Sequence, residues 1–219
     1  MDIGFIREYI PMYVEAAKLT IHIAAIGILG AILVGFFCSM IQYYKLPIIK
    51  QVTSIYIELS RNTPLLVQLF FLYFGLPKIG IMVSSEGCAI IGLIFLGGSY
   101  MAEAFRSGLE AVEKSQVESA ASLGLRSYQV IRYIVMPQAI AISIPAFCAN
   151  VIFLIKETSV FSAVALADLM YVAKDLIGLY YKTDEALVML VVSYLILLLP
   201  ISIVGTILER RFKYVGFRN

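Results

Sequence analysis

The chain is 219 residues long, 61% of them hydrophobic and only 15% charged, and its 17 basic and 15 acidic side chains leave a formal net charge of +2. One domain's length of chain cannot hide so much apolar surface from water, and a mean hydropathy of +0.90 makes lipid its solvent. Disorder, collagen-like repeats and a secreted disulfide scaffold are excluded, as is a nucleic-acid binder, which needs far more positive charge.

Residues 1–17 carry Asp2, Arg7, Glu8, Pro11 and Glu15 and read as a polar segment outside the membrane; the apolar run behind them is too long for the core of a cleaved signal. A bilayer core takes about 20 mostly apolar residues per helix. Leu19 to Ile41 meets that rule as the first span, and its Gly27, Ala31 and Gly35, four residues apart, form a stripe that lets another helix approach closely. His22, the only histidine, reads as a helix-packing donor, and the widely spaced Cys38, Cys88 and Cys148 as membrane-packing residues rather than metal ligands.

Val52 to Leu76 is less regular. Ser60-Arg61-Asn62-Thr63-Pro64 places capping residues ahead of a proline and predicts a helix starting at Pro64. From Pro64 to Leu76 the chain is too short to cross alone, so the second span is a broken helix whose first half includes Val52, Ile55 and Leu59. Such a break is tolerated only where it faces protein or a water-filled path. The third span starts at Gly87 and reaches full length only by admitting Glu103 and Arg106; the fourth, from Gln138, contains Pro145; the fifth, Ala186 to Leu208, contains Pro200, which kinks it. Between the last two, Leu169, Val172 and Leu176 share one stripe with Asp168 and Asp175 off it, an amphipathic helix on the outer surface.

The expected fold is therefore all-α, a bundle over residues 18–209 with spans near 19–41, 52–76, 87–106, 138–159 and 186–208 and a tail over 210–219. Lys45, Lys50, Arg106, Lys114, Arg126, Arg132, Arg210, Arg211, Lys213 and Arg218 fall on one side, against Arg7, Lys78, Lys174 and Lys182 on the other, which predicts the N-terminus outside and the C-terminus inside.

The connection over 107–137 is long for a loop with no task. Ser115-Gln116-Val117-Glu118 has the form of a capping box, Gly124 suits a left-handed helix end, and Ser127 caps a second helix, Tyr128 to Met136, which Pro137 separates from the fourth span. Val117, Ala120, Ala121 and Leu123 are small apolar groups exposed unless a partner covers them. On the residues alone, a solvated surface hairpin fits equally.

The run Glu118-Ser119-Ala120-Ala121-Ser122-Leu123-Gly124, with Met136-Pro137-Gln138-Ala139 after it, resembles the EAA loop of ATP-binding-cassette importer permeases, departing from that pattern only at Ser119. Arg61-Asn62-Thr63-Pro64-Leu65-Leu66-Val67-Gln68, Tyr100-Met101-Ala102-Glu103-Ala104-Phe105-Arg106-Ser107-Gly108 and Lys156-Glu157-Thr158-Ser159 are similar to the subgroup that imports polar amino acids. The resemblance implies the five-span type I permease fold in the cytoplasmic membrane of a prokaryote. It also implies four kinds of partner: two ATPase subunits, a second permease copy or homologue, a solute-binding protein, and the amino acid itself. It makes Glu118, Ser119, Ala120, Ala121, Leu123 and Gly124 the coupling contact. The chain has no G-x-x-x-x-G-K-[ST] phosphate loop, so no cofactor is expected on it and ATP belongs to a partner.

Ionisable groups inside spans are costly and face cavities or partners. For an amino-acid zwitterion, Arg61 with the half-helix at Pro64 fits the carboxylate, and Glu157 or Glu103 the ammonium, with Asn150, Thr158 and Ser159 as neutral hydrogen-bonding groups and Lys156 beside them. Equally, Lys156 pairs with Glu157, and Glu103 with Arg106 three residues on. A secondary transporter or channel is the rival reading; a membrane enzyme is a distant one, since no nucleophile–base set stands out.

Overall fold

In lipid every backbone N–H and C=O must find its partner within the chain, and apolar runs satisfy this as helices. A computed structural model describes residues 1–44 and 47–216; these contain helices and no strand. Lys45 and Arg218, two of the charges used for orientation, lie outside the described residues, as does the side chain of Lys213.

Helix α1 spans Ile3–Tyr43, starting well ahead of Leu19. Two causes extend it. The Asp2 carboxylate caps it by accepting from the Phe5 N–H at 3.1 Å. Its early turns also have tertiary partners, since Tyr13 and Ala16 pack with Leu169, Val172 and Leu176 of α8 (Leu169–Tyr180) and with Ala186 and Met189 of α9 (Thr183–Gly216). The second segment is in two pieces, as the Pro64 signal predicted: α2, Pro47–Arg61, then a break, then α3, Leu65–Phe70, which continues through a π turn, Phe71–Gly75, and a 3-10 turn, Leu76–Ile79. Among the described residues, four helical stretches are long and apolar enough to cross a membrane: Ile3–Tyr43, Ser85–Glu110, Ser127–Val164 and Thr183–Phe212.

Helix α4, Ser85–Glu110, is the centre of the bundle. The small-residue stripe of α1 lies against it: Gly27 faces Leu93, Ala31 faces Gly97, and a Cβ on Gly35 would sit 2.5 Å from Met101 Cβ and 2.7 Å from the Ala102 backbone nitrogen. On its other side α4 meets α7, Met136–Glu157, where Ser143 Oγ donates to Ala139 O at 2.7 Å and stands 3.0 Å from Ala104 O. Leu29, Leu33 and Phe37 of α1 and Leu195, Leu199 and Ile203 of α9 point outward and are exposed, as lipid-facing residues are. His22 is also exposed on α1, so it is not the packing donor within this chain that the sequence led us to expect.

Pro137 does not separate two helices. Helix α6, Ser127–Val130, passes through a π turn, Ile131–Val135, straight into α7. Both π turns end two residues ahead of a proline, Pro77 and Pro137. The wider turn makes room for the proline ring and for the carbonyl that loses its donor.

Candidate functional site

Two features stand out: an elbow between α4 and α7, and a charged cluster at the α2–α4 crossing. The elbow is α5, Lys114–Ser122. Its start lies at Glu113, not at a Ser115 capping box; Ser115 is already inside the first turn, and its Oγ donates back to Glu113 Oε2 at 3.1 Å. The far end is closed as expected. Gly124 is left-handed at φ 81, its N–H donates to Ala121 O at 2.9 Å, and the Leu125 N–H donates to Ala120 O at 3.3 Å. This pair of bonds satisfies two carbonyls that the helix would otherwise leave open.

The face expected to be wholly exposed is split. Ala120 is 4% exposed and packs with Leu109, Val112, Val130, Val135 and Ala139, with Val117 half-buried beside it. Helical periodicity puts them inward while Glu118, Ser119, Ala121 and Leu123 point out. Leu123 is 82% exposed, with Tyr128 and Tyr133 exposed nearby in sequence. Gln138 Nε2 donates to Gln116 Oε1 at 2.6 Å, fixing α5 to the start of α7.

In the charged cluster, Arg106 forms a two-pronged pair with Glu103, one prong from Nε to Oε2 at 3.2 Å and the other from Nη2 to Oε1, and its Nη1 donates to Glu110 Oε2 at 2.7 Å. Arg61 Nη1 is 3.9 Å from Glu103 Oε2, and its guanidinium lies 5.3 Å from the centre of the Tyr100 ring. Glu103 is thus shared by two arginines, the structural alternative that its spacing from Arg106 allowed. Asn150 Nδ2 donates to Tyr100 O at 3.1 Å, tying α7 to the same turn of α4.

The other candidates stand elsewhere. With α4 and α7 antiparallel and Asn150 opposite Tyr100, Glu103 lies level with about Phe147, so Glu157 is about 15 Å further along the bundle at 1.5 Å per residue. One amino acid therefore cannot place its carboxylate on Arg61 and its ammonium on Glu157 of the same chain. Thr158 is fully buried and its hydroxyl donates to Ile155 O at 2.7 Å, so it closes the end of α7 rather than facing a path. Lys156 is exposed, Glu157 and Ser159 are half-buried, and no ion pair joins Lys156 to Glu157 among the described residues.

Sequence reasoning missed the polar seam that holds this crossing. Tyr56 OH donates to Phe95 O at 2.7 Å, Ser60 Oγ is 2.8 Å from the same oxygen, and Ser99 Oγ is 3.0 Å from Ser60. Tyr56 and Ser60, four apart on α2, were the available signal. No group of three His, Cys, Asp or Glu side chains suited to a metal ion occurs among the described residues.

Residues 27–214 match the family described as binding-protein-dependent transport system inner membrane component. The chain is 30% identical to the glutamine transport system permease protein GlnP of Escherichia coli strain K12 over 214 residues, 97% of this chain and 98% of that one. It is 33% identical to the probable glutamine ABC transporter permease protein GlnP of Bacillus subtilis strain 168 over 175 residues, 80% of each. A chain in a crystal structure of an amino acid ABC transporter with histidines superposes with a TM-score of 0.90 at 30% identity, covering 96% of this chain and 99% of that one. An inward-facing methionine ABC transporter shares the fold, with a TM-score of 0.78 at 17% identity over 92% and 96% of the two chains.

Proposed function

The chain belongs to the family of binding-protein-dependent transport system inner-membrane components, and from that premise we propose that it is the permease subunit through which an ATP-driven importer moves a polar or charged amino acid across the inner membrane. The relatives named as amino-acid and glutamine permeases support the substrate class. ATP is hydrolysed by a separate pair of ATPase subunits. A second permease, identical or homologous, completes the path, and a solute-binding protein delivers the substrate. The lysine and arginine bias sets the C-terminus and the α5 elbow on the ATPase side.

One observation carries the coupling: α5 is a helix braced on its inner face by Ala120 and closed at Gly124, while Glu118, Ala121 and Leu123 are left open to a partner. A braced helix transmits a push that a solvated hairpin would absorb, and its link through Gln116 and Gln138 delivers that push to α7. Along the path the substrate meets two separate stations in turn, about 15 Å apart: Arg61 takes its carboxylate at one, and Glu157 with Ser159 takes its ammonium at the other, never both in one bound pose. Glu103 holds the two arginines in register, with Asn150 tied to the same turn of α4; Lys156 stands exposed further along the bundle and Thr158 closes the end of α7.

The test is uptake into proteoliposomes by the chain co-purified with its ATPase. Glu118→Lys and Gly124→Asp should each abolish ATP-driven uptake while membrane insertion stays normal. Unimpaired uptake in both sinks the coupling assignment, and uptake indifferent to ATP sinks the importer itself in favour of a secondary transporter.

A further inference from the structure

Pro64 leaves a gap in the hydrogen-bond ladder at the break between α2 and α3. In an unbroken helix residue 64 would donate its N–H to the Ser60 carbonyl; proline has no N–H to give, and the Thr63 N–H reaches that carbonyl only at 3.4 Å. The gap is filled from across the break. Gln68 Nε2 donates to Ser60 O at 3.2 Å and to Thr63 O at 2.9 Å, so both amide hydrogens go to carbonyls that the break exposes. Gln68 is 9% exposed, and its Oε1 is buried with no partner among the described residues, so its side-chain hydrogen bonds within the chain all serve the break.

What the break holds in place is specific. Ser60 is fully buried and fastened to α4 through Phe95 O and Ser99 Oγ. The next residue, Arg61, is the one whose guanidinium lies over Tyr100 and beside Glu103. A side chain that fixes the carbonyl of Ser60 therefore also fixes the direction in which the chain leaves it.

We propose that Gln68 is a positioning residue: it stands in for the N–H that Pro64 lacks, and by setting the geometry of the break it sets the position of the Arg61 guanidinium. The consequence for transport rests on the reading of Arg61 as the carboxylate site; the effect on the break does not. Two rival roles are an inert packing residue and a residue needed only for folding. Buried amide hydrogens pointed at two carbonyls are what distinguish the proposal from both.

The assembled transporter, in lipid nanodiscs, is compared with Gln68→Met, which keeps length and bulk but has no donor, and with Gln68→Glu, which can donate only when protonated. Hydrogen exchange in the segment 61–68 should be about tenfold faster in Gln68→Met, with the rest of the chain unchanged, because local opening no longer has to break these bonds. Gln68→Glu should show exchange and uptake that approach wild type as pH falls and diverge as it rises, a profile that neither wild type nor Gln68→Met shares. Should Gln68→Met fail to assemble, the pH profile of Gln68→Glu gives the same answer within one purified protein. In uptake, Gln68→Met should raise KM with little change in maximal ATPase rate, and adding Arg61→Gln should raise it no further.

Unchanged exchange in Gln68→Met, or a flat pH profile in Gln68→Glu, overturns the proposal. If Arg61→Gln has wild-type KM while exchange is still faster in Gln68→Met, the carboxylate role of Arg61 fails and the positioning role of Gln68 stands.

Discussion

The seam between α1 and α4 can be tested at a single methyl group. Gly35→Ala places a Cβ 2.5 Å from Met101 Cβ, 2.7 Å from the Ala102 nitrogen and 2.8 Å from the Met101 carbonyl carbon. Carbon atoms sit comfortably at about 3.5–4 Å, so the two helices must part by about 1 Å. Two of the three obstructing atoms are backbone, which leaves no rotamer change to relieve the clash. Parting the helices also loosens Gly27 from Leu93 and Ala31 from Gly97. Overpacking of this kind costs about 1–3 kcal/mol, offset by about 1 kcal/mol from the better helix propensity of alanine. Gly178→Ala in α8 is the control, because a Cβ there meets nothing within 4 Å and only the propensity gain remains. At about 2–4 °C per kcal/mol for a chain of this size, Gly35→Ala should lower the melting temperature by a few degrees and Gly178→Ala should raise it. The chain has no tryptophan, so the natural probe is a thiol-reactive fluorophore that reports unfolding as the buried Cys88 and half-buried Cys38 and Cys148 become accessible. Equal melting temperatures for Gly35→Ala and wild type would refute the close-approach argument.

Gly124→Ala should be milder than the aspartate variant: the left-handed φ of 81 costs an alanine about 1 kcal/mol, so the elbow frays and uptake falls in part while assembly is retained, as rates in proteoliposomes would show. Ala165 is left-handed at φ 55 without being glycine, so Ala165→Gly should leave stability unchanged or raise it by up to about 1 kcal/mol, whereas a glycine in an ordinary helical position lowers it. Asp168 lies in the connection between α7 and α9, where burial pushes its carboxyl up from 3.8 to about 6 although it accepts backbone bonds from Tyr171 and Met170. The folded chain thus holds that proton more tightly than the unfolded one. Stability should be complete below about pH 4 and fall as pH rises to about 6, by on the order of 2–3 kcal/mol. Thermal scans of Asp168→Asn should lack that slope; the same slope in both proteins would assign it to another group.

The same Asp168 shows where sequence periodicity stops being informative. The stripe Leu169, Val172 and Leu176 is buried as its spacing predicted, but the aspartate placed off that stripe is fully buried too, because it caps α8 by accepting from the Tyr171 N–H at 2.9 Å. A cap lies at the helix end, where burial depends on what packs around that end, and helical phase says nothing about that. Ala120 is the converse case. Its chemistry matches that of Ala121, and only the packing of Leu109, Val130 and Val135 decides that one is core and the other open. The early start of α1 has the same origin, since Tyr13 and Ala16 are helical by virtue of partners more than 150 residues away in the chain.

The prolines carry this point furthest, since each announces a missing donor without saying what replaces it. Ahead of Pro77 and Pro137 the chain widens into a π turn and stays helical. Pro11, Pro145 and Pro200 sit within helices that continue through them. Pro47 opens α2, and at Pro64 the helix breaks, with Pro64 itself extended at ψ 143 and the Gln68 side chain four residues on donating to the Ser60 carbonyl. At Pro137 the helical path runs unbroken from Ser127 to Glu157, whereas past Pro77 it ends one 3-10 turn later, at Ile79. Pro64 stands three residues after Arg61, the last residue of α2, whose side chain reaches Glu103 and Tyr100. Because Arg61 precedes the proline, what the break contributes to it is the Ser60 carbonyl held from the far side by Gln68, not a change in the course of α2.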